Sequence, residues 1–126
     1  MPEDQDKVTV GLTATGWTNL EALMETGWFE DQVDAYRVAI GVALSRKLPV
    51  DEGGLAGVTT KFNRGTLDRD GSVRTLISTL LPRASKKPYE FSQLLADAGI
   101  RYLKQRLVDD HALLSEVLSE EAPAAP

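Results

Sequence analysis

The chain has 126 residues, of which 42% are hydrophobic and 26% are charged, a composition typical of a single globular domain. It contains no cysteine, which excludes disulfides, thiolate metal ligands and a cysteine nucleophile. No apolar run approaches the roughly 20 residues of a membrane helix, and the acidic first residues lack the apolar core of a signal peptide, so we expect a cytoplasmic protein.

Charge is distributed unevenly along the chain, although the formal net charge is only −5. Residues 1–60 carry 4 basic and 10 acidic side chains, residues 61–108 carry 10 basic and 4 acidic ones, and residues 109–126 carry 5 acidic ones alone. This pattern allows the middle third to pair with the rest of the chain, with a second copy or with another partner. A solvated surface of mixed charge is the simpler interpretation.

After an acidic arm at 1–6, which we expect to be disordered, an alternating pattern over 7–13 predicts a short half-buried strand. A lone strand leaves backbone donors and acceptors unpaired. We therefore expect its partner to be the same strand of another copy. The inward face would consist of Val8, Val10 and Leu12, and the outward face of Lys7, Thr9 and Gly11.

The rest of the chain predicts helices, interrupted by a glycine-rich stretch at 49–71 that includes one short strand at 58–62. The second helix is apolar on nearly all sides, which an intertwined dimer would explain. We expect a mainly α fold in a single domain over 7–118, with a disordered tail at 119–126. The predicted helices cover about 18–26, 30–47, 72–81, 88–98 with a break at Gly99, the segment from 100 onward, and a last turn or two up to 118.

No residue pattern indicates catalysis, a metal site or a cofactor. His111 is the only histidine, and it lies between acidic residues and a leucine pair. The Asp68-x-Asp70-Gly71 sequence resembles the start of a calcium loop, but the register places Thr66 and Ile77 where that loop needs carboxylates. We therefore interpret this stretch as a turn before a helix, and we expect a protein that is not an enzyme.

The segment 7–47 contains a strand, a short helix with Leu20 and Leu23, a turn, and a longer apolar helix with Tyr36–Ile40 and Leu44. This order resembles the ribbon-helix-helix family. The resemblance implies a homodimer whose paired strands enter the DNA major groove. Its implied DNA-contacting residues are Lys7, Thr9 and Gly11, and its implied dimer interface consists of Val8, Val10, Leu12, Tyr36, Ile40 and Leu44.

The segment departs from the family pattern at two points. Gly11 stands where a long polar side chain is usual, so this position has no side chain that could reach a base. The start of the second helix, which grips a phosphate in that family, carries Glu30, Asp31 and Gln32. Carboxylates there would fill an anion site and repel phosphate.

A second resemblance covers about 28–118. The segments 28–40, 62–68 and 88–100 are similar to small proteins encoded beside bacterial DNA-modification and phage-defence systems. This resemblance implies an accessory subunit of a larger DNA-acting assembly. It gives no chemistry to individual residues.

A basic face is predicted across the fourth and fifth helices. Several cations on one face could hold a phosphate backbone with strong salt dependence, or could dock an acidic protein surface, including that of another copy. The residues of this face are Lys86, Lys87, Arg101, Lys104 and Arg106.

Two functions remain open from the sequence. The first is a DNA-associated accessory or regulatory protein without catalytic activity. The second is an adaptor dimer that holds larger protein subunits without touching DNA. In the second case the aromatic residues Trp17, Trp28 and Phe29 would be the main contacts, because large aromatic side chains often dominate protein interfaces.

Overall fold

A computed structural model describes residues 6–51, 53 and 55–119. The predicted disordered arm and tail lie outside these residues, apart from Asp6 and Ser119. The expected fold class, a short N-terminal strand followed by helices, is confirmed. The elements in chain order are β1 (Thr9–Leu12), α1 (Ala14–Met24), α2 (Gln32–Ser45), β2 (Thr59–Asn63), α3 (Arg64–Leu67), α4 (Ser72–Leu80), a 3₁₀ turn (Pro82–Ala84), α5 (Pro88–Lys104), a π turn (Gln105–Asp109) and α6 (Leu114–Ser119).

Strand β1 pairs antiparallel with β2 of the same chain, whereas the sequence suggested the same strand of another copy as its partner. The register aligns Thr9 with Asn63 and Leu12 with Thr59, with an irregularity after Val10. Strand β2 is exposed except at Phe62, so its sequence lacks the clear alternation that marks β1. The short strand predicted at 58–62 is therefore the partner that β1 needed.

Side chains from two helices also form hydrogen bonds with the backbone N–H and carbonyl groups of Gly11 in β1. The Gly11 N–H donates to Oε1 of Gln93 on α5 at 3.1 Å, and the hydroxyl of Tyr36 on α2 donates to the Gly11 carbonyl at 3.0 Å. Both side chains are buried. A further strand could add to Gly11 only by displacing them.

Polar side chains cap the first turns of three helices. Helix α1 begins earlier than predicted, because the Thr13 hydroxyl accepts a hydrogen bond from the Gly16 N–H at 3.0 Å. Asp31 caps α2 in the same way. At the start of α4, the buried Asp68 carboxylate accepts hydrogen bonds from the N–H groups of residues 73 and 74.

Helix α5 is continuous through Gly99, where the sequence predicted a break. A Cβ atom at Gly99 would lie 2.0 Å from the carbonyl oxygen of Ala39, so this glycine allows α5 to approach α2 closely. Helix α5 packs against α1, α2, α4 and β1. It is therefore the central element of the fold.

The core lies between α1, α2, α5 and the inward side of β1. The interface predicted for a dimer is mostly inside this core: Val10, Leu12, Tyr36 and Ile40 are at most 1% exposed, and Leu44 is 9% exposed. Only Val8 of that set is exposed. The apolar surface of α2 is therefore covered within one chain, and an intertwined dimer is not needed to explain it. Within the described residues, no helix combines the length and apolar character needed to cross a membrane.

Candidate functional site

The start of α5 is joined to the N-terminal end of the described chain through Asp6. The Asp6 carboxylate accepts hydrogen bonds from the backbone N–H groups of Tyr89 at 2.6 Å and Glu90 at 2.8 Å. The first N–H groups of a helix have no partner within the helix, and the helix dipole favours a negative charge near them. Lys87, at the cap position of α5, makes no side-chain capping bond. Asp6 therefore supplies the cap and holds Lys7 beside the helix.

A cleft of about 830 Å³ opens next to this contact. Four cations line it: Lys7 from the N-terminal segment, Arg83 from the 3₁₀ turn, and Lys86 and Lys87 from the turn before α5. We call it the basic cleft. Its apolar lining comes from Leu55, Val58, Ala84, Phe91 and Leu94.

The three lysines of the basic cleft are poorly neutralised within the described part of the chain. Glu90 is the only carboxylate among the described residues that line the cleft. The ammonium groups of Lys7, Lys86 and Lys87 form no hydrogen bond or ion pair within the described part of the chain. Arg83 lies over the ring of Phe91, 5.7 Å from its centroid. The cleft therefore presents several positive charges that an anionic ligand could neutralise.

The cleft brings together cations that the sequence had assigned to two different surfaces. Lys7 was expected on a DNA-contacting ribbon, and Lys86 and Lys87 on a helical face. Arg83 was not predicted, although it lies only three residues before Lys86. That local clustering of Arg83, Lys86 and Lys87 before Pro88 was the signal available in the sequence.

The other half of the predicted basic face lies elsewhere. Arg101 is about 20 Å from Lys87 along the axis of α5, given the rise of a helix. Lys104 forms an ion pair with Asp109 at 3.1 Å. Arg106 lies 3.6 Å from Asp110 in a similar pair on the π turn. The predicted face is therefore two separate surfaces, and its C-terminal part is partly neutralised.

The remaining two predicted DNA contacts do not join the basic cleft. Gly11 is buried, and a Cβ atom there would lie 1.9 Å from the carbonyl oxygen of Thr59. Glycine is needed at this position because the two strands approach too closely for a side chain. Thr9 is exposed on β1 opposite Asn63.

The three aromatic residues expected at a protein interface occupy different environments. Trp17 is half-buried; its indole N–H donates to the Thr59 carbonyl at 3.0 Å and its ring meets Phe62 edge to face. Phe29 is only 6% exposed and belongs to the core. Trp28 is 43% exposed. Of the three, Trp28 alone presents a largely accessible ring.

Two buried tyrosines, Tyr36 and Tyr89, act as hydrogen-bond donors. Burial, followed by the hydrogen bond to Asp68, raises the pKa of Tyr89 to about 12. Its hydroxyl donates to the Asp68 carboxylate at 2.8 Å. Burial likewise raises the pKa of Tyr36, whose hydroxyl bonds to Gly11. Both phenols therefore stay protonated at neutral pH and support the fold as donors.

The described residues contain no group of three or more His, Asp or Glu side chains that could hold a metal ion. His111, the one histidine, lies exposed after the π turn with a positive φ of 56°. No known protein family, curated protein or solved structure matches the chain. The basic cleft and the surfaces near it are therefore the candidate functional features of the chain.

Proposed function

We propose that this chain is a DNA-associated accessory or regulatory protein without catalytic activity, and that the basic cleft contacts the phosphate backbone. The observation that carries this proposal is the convergence of Lys7, Lys86 and Lys87 on one cleft with no anionic partner in the described chain. The resemblance of 28–118 to small proteins of bacterial DNA-modification and phage-defence systems supports a role as a small subunit of such a system.

The chemistry of the cleft suits a backbone contact better than recognition of a base sequence. Lysine ammonium groups act as point charges toward phosphate and carry little directional information. The rest of the chain is acidic, since the four cleft cations stand against a net charge of −5. Repulsion elsewhere would confine DNA to the face that carries the cleft.

A mobility-shift titration on random duplex DNA tests this proposal. The double variant Lys86→Glu/Lys87→Glu reverses two cleft charges, and Arg101→Glu/Lys104→Glu makes the same change in net charge at the far end of α5. We expect wild type to lose affinity steeply between low and physiological salt. The cleft variant should lower the slope of log K against log salt by about 2, because each phosphate that a cation neutralises adds about 0.9 to that slope.

The two variants separate the possible outcomes. Loss of binding with the cleft variant and near wild-type binding with the control would support the basic cleft. The reverse pattern would move the DNA contact to the C-terminal end of α5. Absence of binding by wild type at low salt would refute the DNA proposal. Light scattering on the same samples would measure whether the expected homodimer exists.

Exposed leucines favour the adaptor as a second candidate function. Leu76 and Leu80 lie one turn apart on α4 and are 43% and 52% exposed. Leu80 also lines a groove of about 320 Å³ with Leu44, Leu48, Val50, Leu81 and Leu95. A protein contact made by these residues would be nearly independent of salt, whereas a DNA contact would not. The adaptor would be supported if wild type bound no DNA but formed a salt-resistant complex with another protein, and if Leu76→Glu/Leu80→Glu removed that complex.

A further inference from the structure

A second pocket, of about 480 Å³, is also bordered by Asp6 and shares Lys86 with the basic cleft. Arg64, Arg74 and Lys86 bring three cations to it, and Asp6 is the only carboxylate among the described residues that line it. We call it the hydroxyl pocket, because four short hydroxyl side chains complete its wall. They are Thr75, Ser78, Thr79 and Ser85.

The fold explains why these groups converge. Thr75, Ser78 and Thr79 stand at positions i, i+3 and i+4 of α4, so they share one face of that helix. The buried Asp68 carboxylate fixes the start of α4 through the N–H groups of residues 73 and 74, and it also accepts from the Tyr89 hydroxyl. Arg64 lies over the Tyr89 ring, 5.4 Å from its centroid. Helices α4 and α5 are thereby held on opposite sides of the pocket.

The polar groups of the pocket are available to a ligand. The hydroxyls of Thr75, Ser78, Thr79 and Ser85 make no hydrogen bond within the part of the chain that the structure describes. The side chains of Arg74 and Lys86 likewise have no hydrogen-bond partner there. The pocket therefore presents charged and neutral donors together.

We propose that the hydroxyl pocket binds a phosphate monoester group. Such a group carries between one and two negative charges near neutral pH and three strong acceptor oxygens. Guanidinium groups match it with paired N–H donors, and hydroxyls can donate to the oxygens left over. The monoester could belong to a free phosphorylated small molecule or to the terminal phosphate of a nucleic acid. This proposal goes beyond backbone contact in the basic cleft and does not require it.

Asp6 has a specific role in this site. Its carboxylate occupies the N–H groups of Tyr89 and Glu90 and places a negative charge on the pocket wall. A bound phosphate would be repelled by that charge. Asp6→Asn keeps an acceptor oxygen for the helix N–H groups but removes the charge. We therefore expect this variant to bind phosphate more tightly than wild type.

Titration of the full chain with inorganic phosphate, followed by backbone amide NMR at constant ionic strength, tests the proposal. We expect saturable shifts of the backbone amides of residues 74–79, 85–87 and 89. Arg74→Gln should weaken binding by about tenfold, the effect of losing one hydrogen bond to a charged group. Arg69→Gln is the matched control, because Arg69 is an exposed arginine outside the pocket. Asp6→Asn should strengthen binding.

Oligonucleotides with and without a terminal phosphate distinguish the two sources. A preference for the phosphorylated oligonucleotide that Arg74→Gln removes would support the pocket with a nucleic-acid end as its ligand. Equal affinity for both oligonucleotides, with the Arg74-dependent response to inorganic phosphate retained, would support the pocket with a small-molecule ligand. Absence of a saturable response, or equal weakening by Arg74→Gln and Arg69→Gln, would overturn the proposal. Arg74 lines the hydroxyl pocket and not the basic cleft, so failure of this proposal can be told apart from failure of the DNA contact.

Discussion

The Asp6 carboxylate accepts a hydrogen bond from the backbone N–H of Tyr89 at 2.6 Å, although the two residues are 83 positions apart. This contact brings the N-terminal segment to the start of α5. It places Lys7 in the basic cleft and puts Asp6 on the wall of the hydroxyl pocket. The two candidate binding sites therefore meet at one helix start.

Replacing Asp6 by alanine should destabilise the protein. The variant leaves the N–H groups of Tyr89 and Glu90 without their acceptor, and removal of a capping side chain costs about 1 kcal/mol. Urea denaturation would measure the free energy of unfolding. Glu21→Ala removes the same charge from an exposed position on α1 and should change stability little. Equal stability of the two variants would show that the Asp6 contact contributes nothing.

Two helix glycines should respond to alanine in opposite directions. At Gly99 the new methyl group would lie 2.0 Å from the Ala39 carbonyl, so α5 and α2 must separate. We expect Gly99→Ala to lower the free energy of unfolding by about 1–3 kcal/mol, the usual range for overpacking. Gly41 on α2 has no atom within 4 Å of such a group. Gly41→Ala should therefore gain up to about 1 kcal/mol from helix propensity.

Thermal denaturation of both glycine variants would check this pair. A lower melting temperature for Gly99→Ala and an equal or higher one for Gly41→Ala are expected. If Gly99→Ala had the melting temperature of wild type, the close contact between Gly99 and Ala39 would be contradicted.

The side-chain amide oxygen of Gln93 should contribute to the stability of the fold. That oxygen accepts from the Gly11 N–H at 3.1 Å, and Gln93 is 6% exposed. Gln93→Leu keeps much of the side-chain volume but leaves a buried N–H without a partner, which costs about 1–3 kcal/mol. Gln105→Leu is the control, because the hydrogen bond of Gln105 to Asp110 is exposed and water can replace it. Chemical denaturation showing similar destabilisation of both variants would contradict the expected role of Gln93.

Stability should fall at high pH because of the two buried tyrosines. A tyrosine in the unfolded chain titrates near pH 10, whereas burial and Asp68 raise the pKa of Tyr89 to about 12 in the folded protein. The folded state therefore holds this proton more tightly. The stability that Tyr89 gains from its raised pKa is fully present below about pH 10 and is lost as pH rises through about 12. Burial raises the pKa of Tyr36 as well, which adds to the decline in the same direction.

Urea denaturation across this pH range, compared between wild type and Tyr89→Phe, would measure the effect. The variant should be less stable at neutral pH, because it cannot form the hydrogen bond to Asp68. It should also show a shallower decline at high pH. Parallel declines for the two proteins would mean that Tyr89 titrates in the folded state as it does in the unfolded chain.

Local patterns in the sequence identified most of the elements. The alternation over 7–13 located β1, although burial along Thr9–Leu12 does not alternate. The apolar content of α2 and the apolar periodicity of α5 located these helices. Boundaries were less accurate. The cap of α4 comes from Asp68, which is four residues before the helix, and the continuity of α5 through Gly99 depends on contact with Ala39.

The strand partner and the candidate sites depended on the tertiary structure. The sequence predicted a short strand at 58–62, but only the tertiary structure shows that β2 pairs with β1. The cations of the basic cleft come from residues near 7 and near 86, and nothing in their local sequence links them. By itself the sequence determined the mainly helical class and the absence of cysteine chemistry, since these follow from composition and periodicity. Tertiary structure alone decided which charges share a surface, because that depends on contacts between distant segments such as Asp6 and Tyr89.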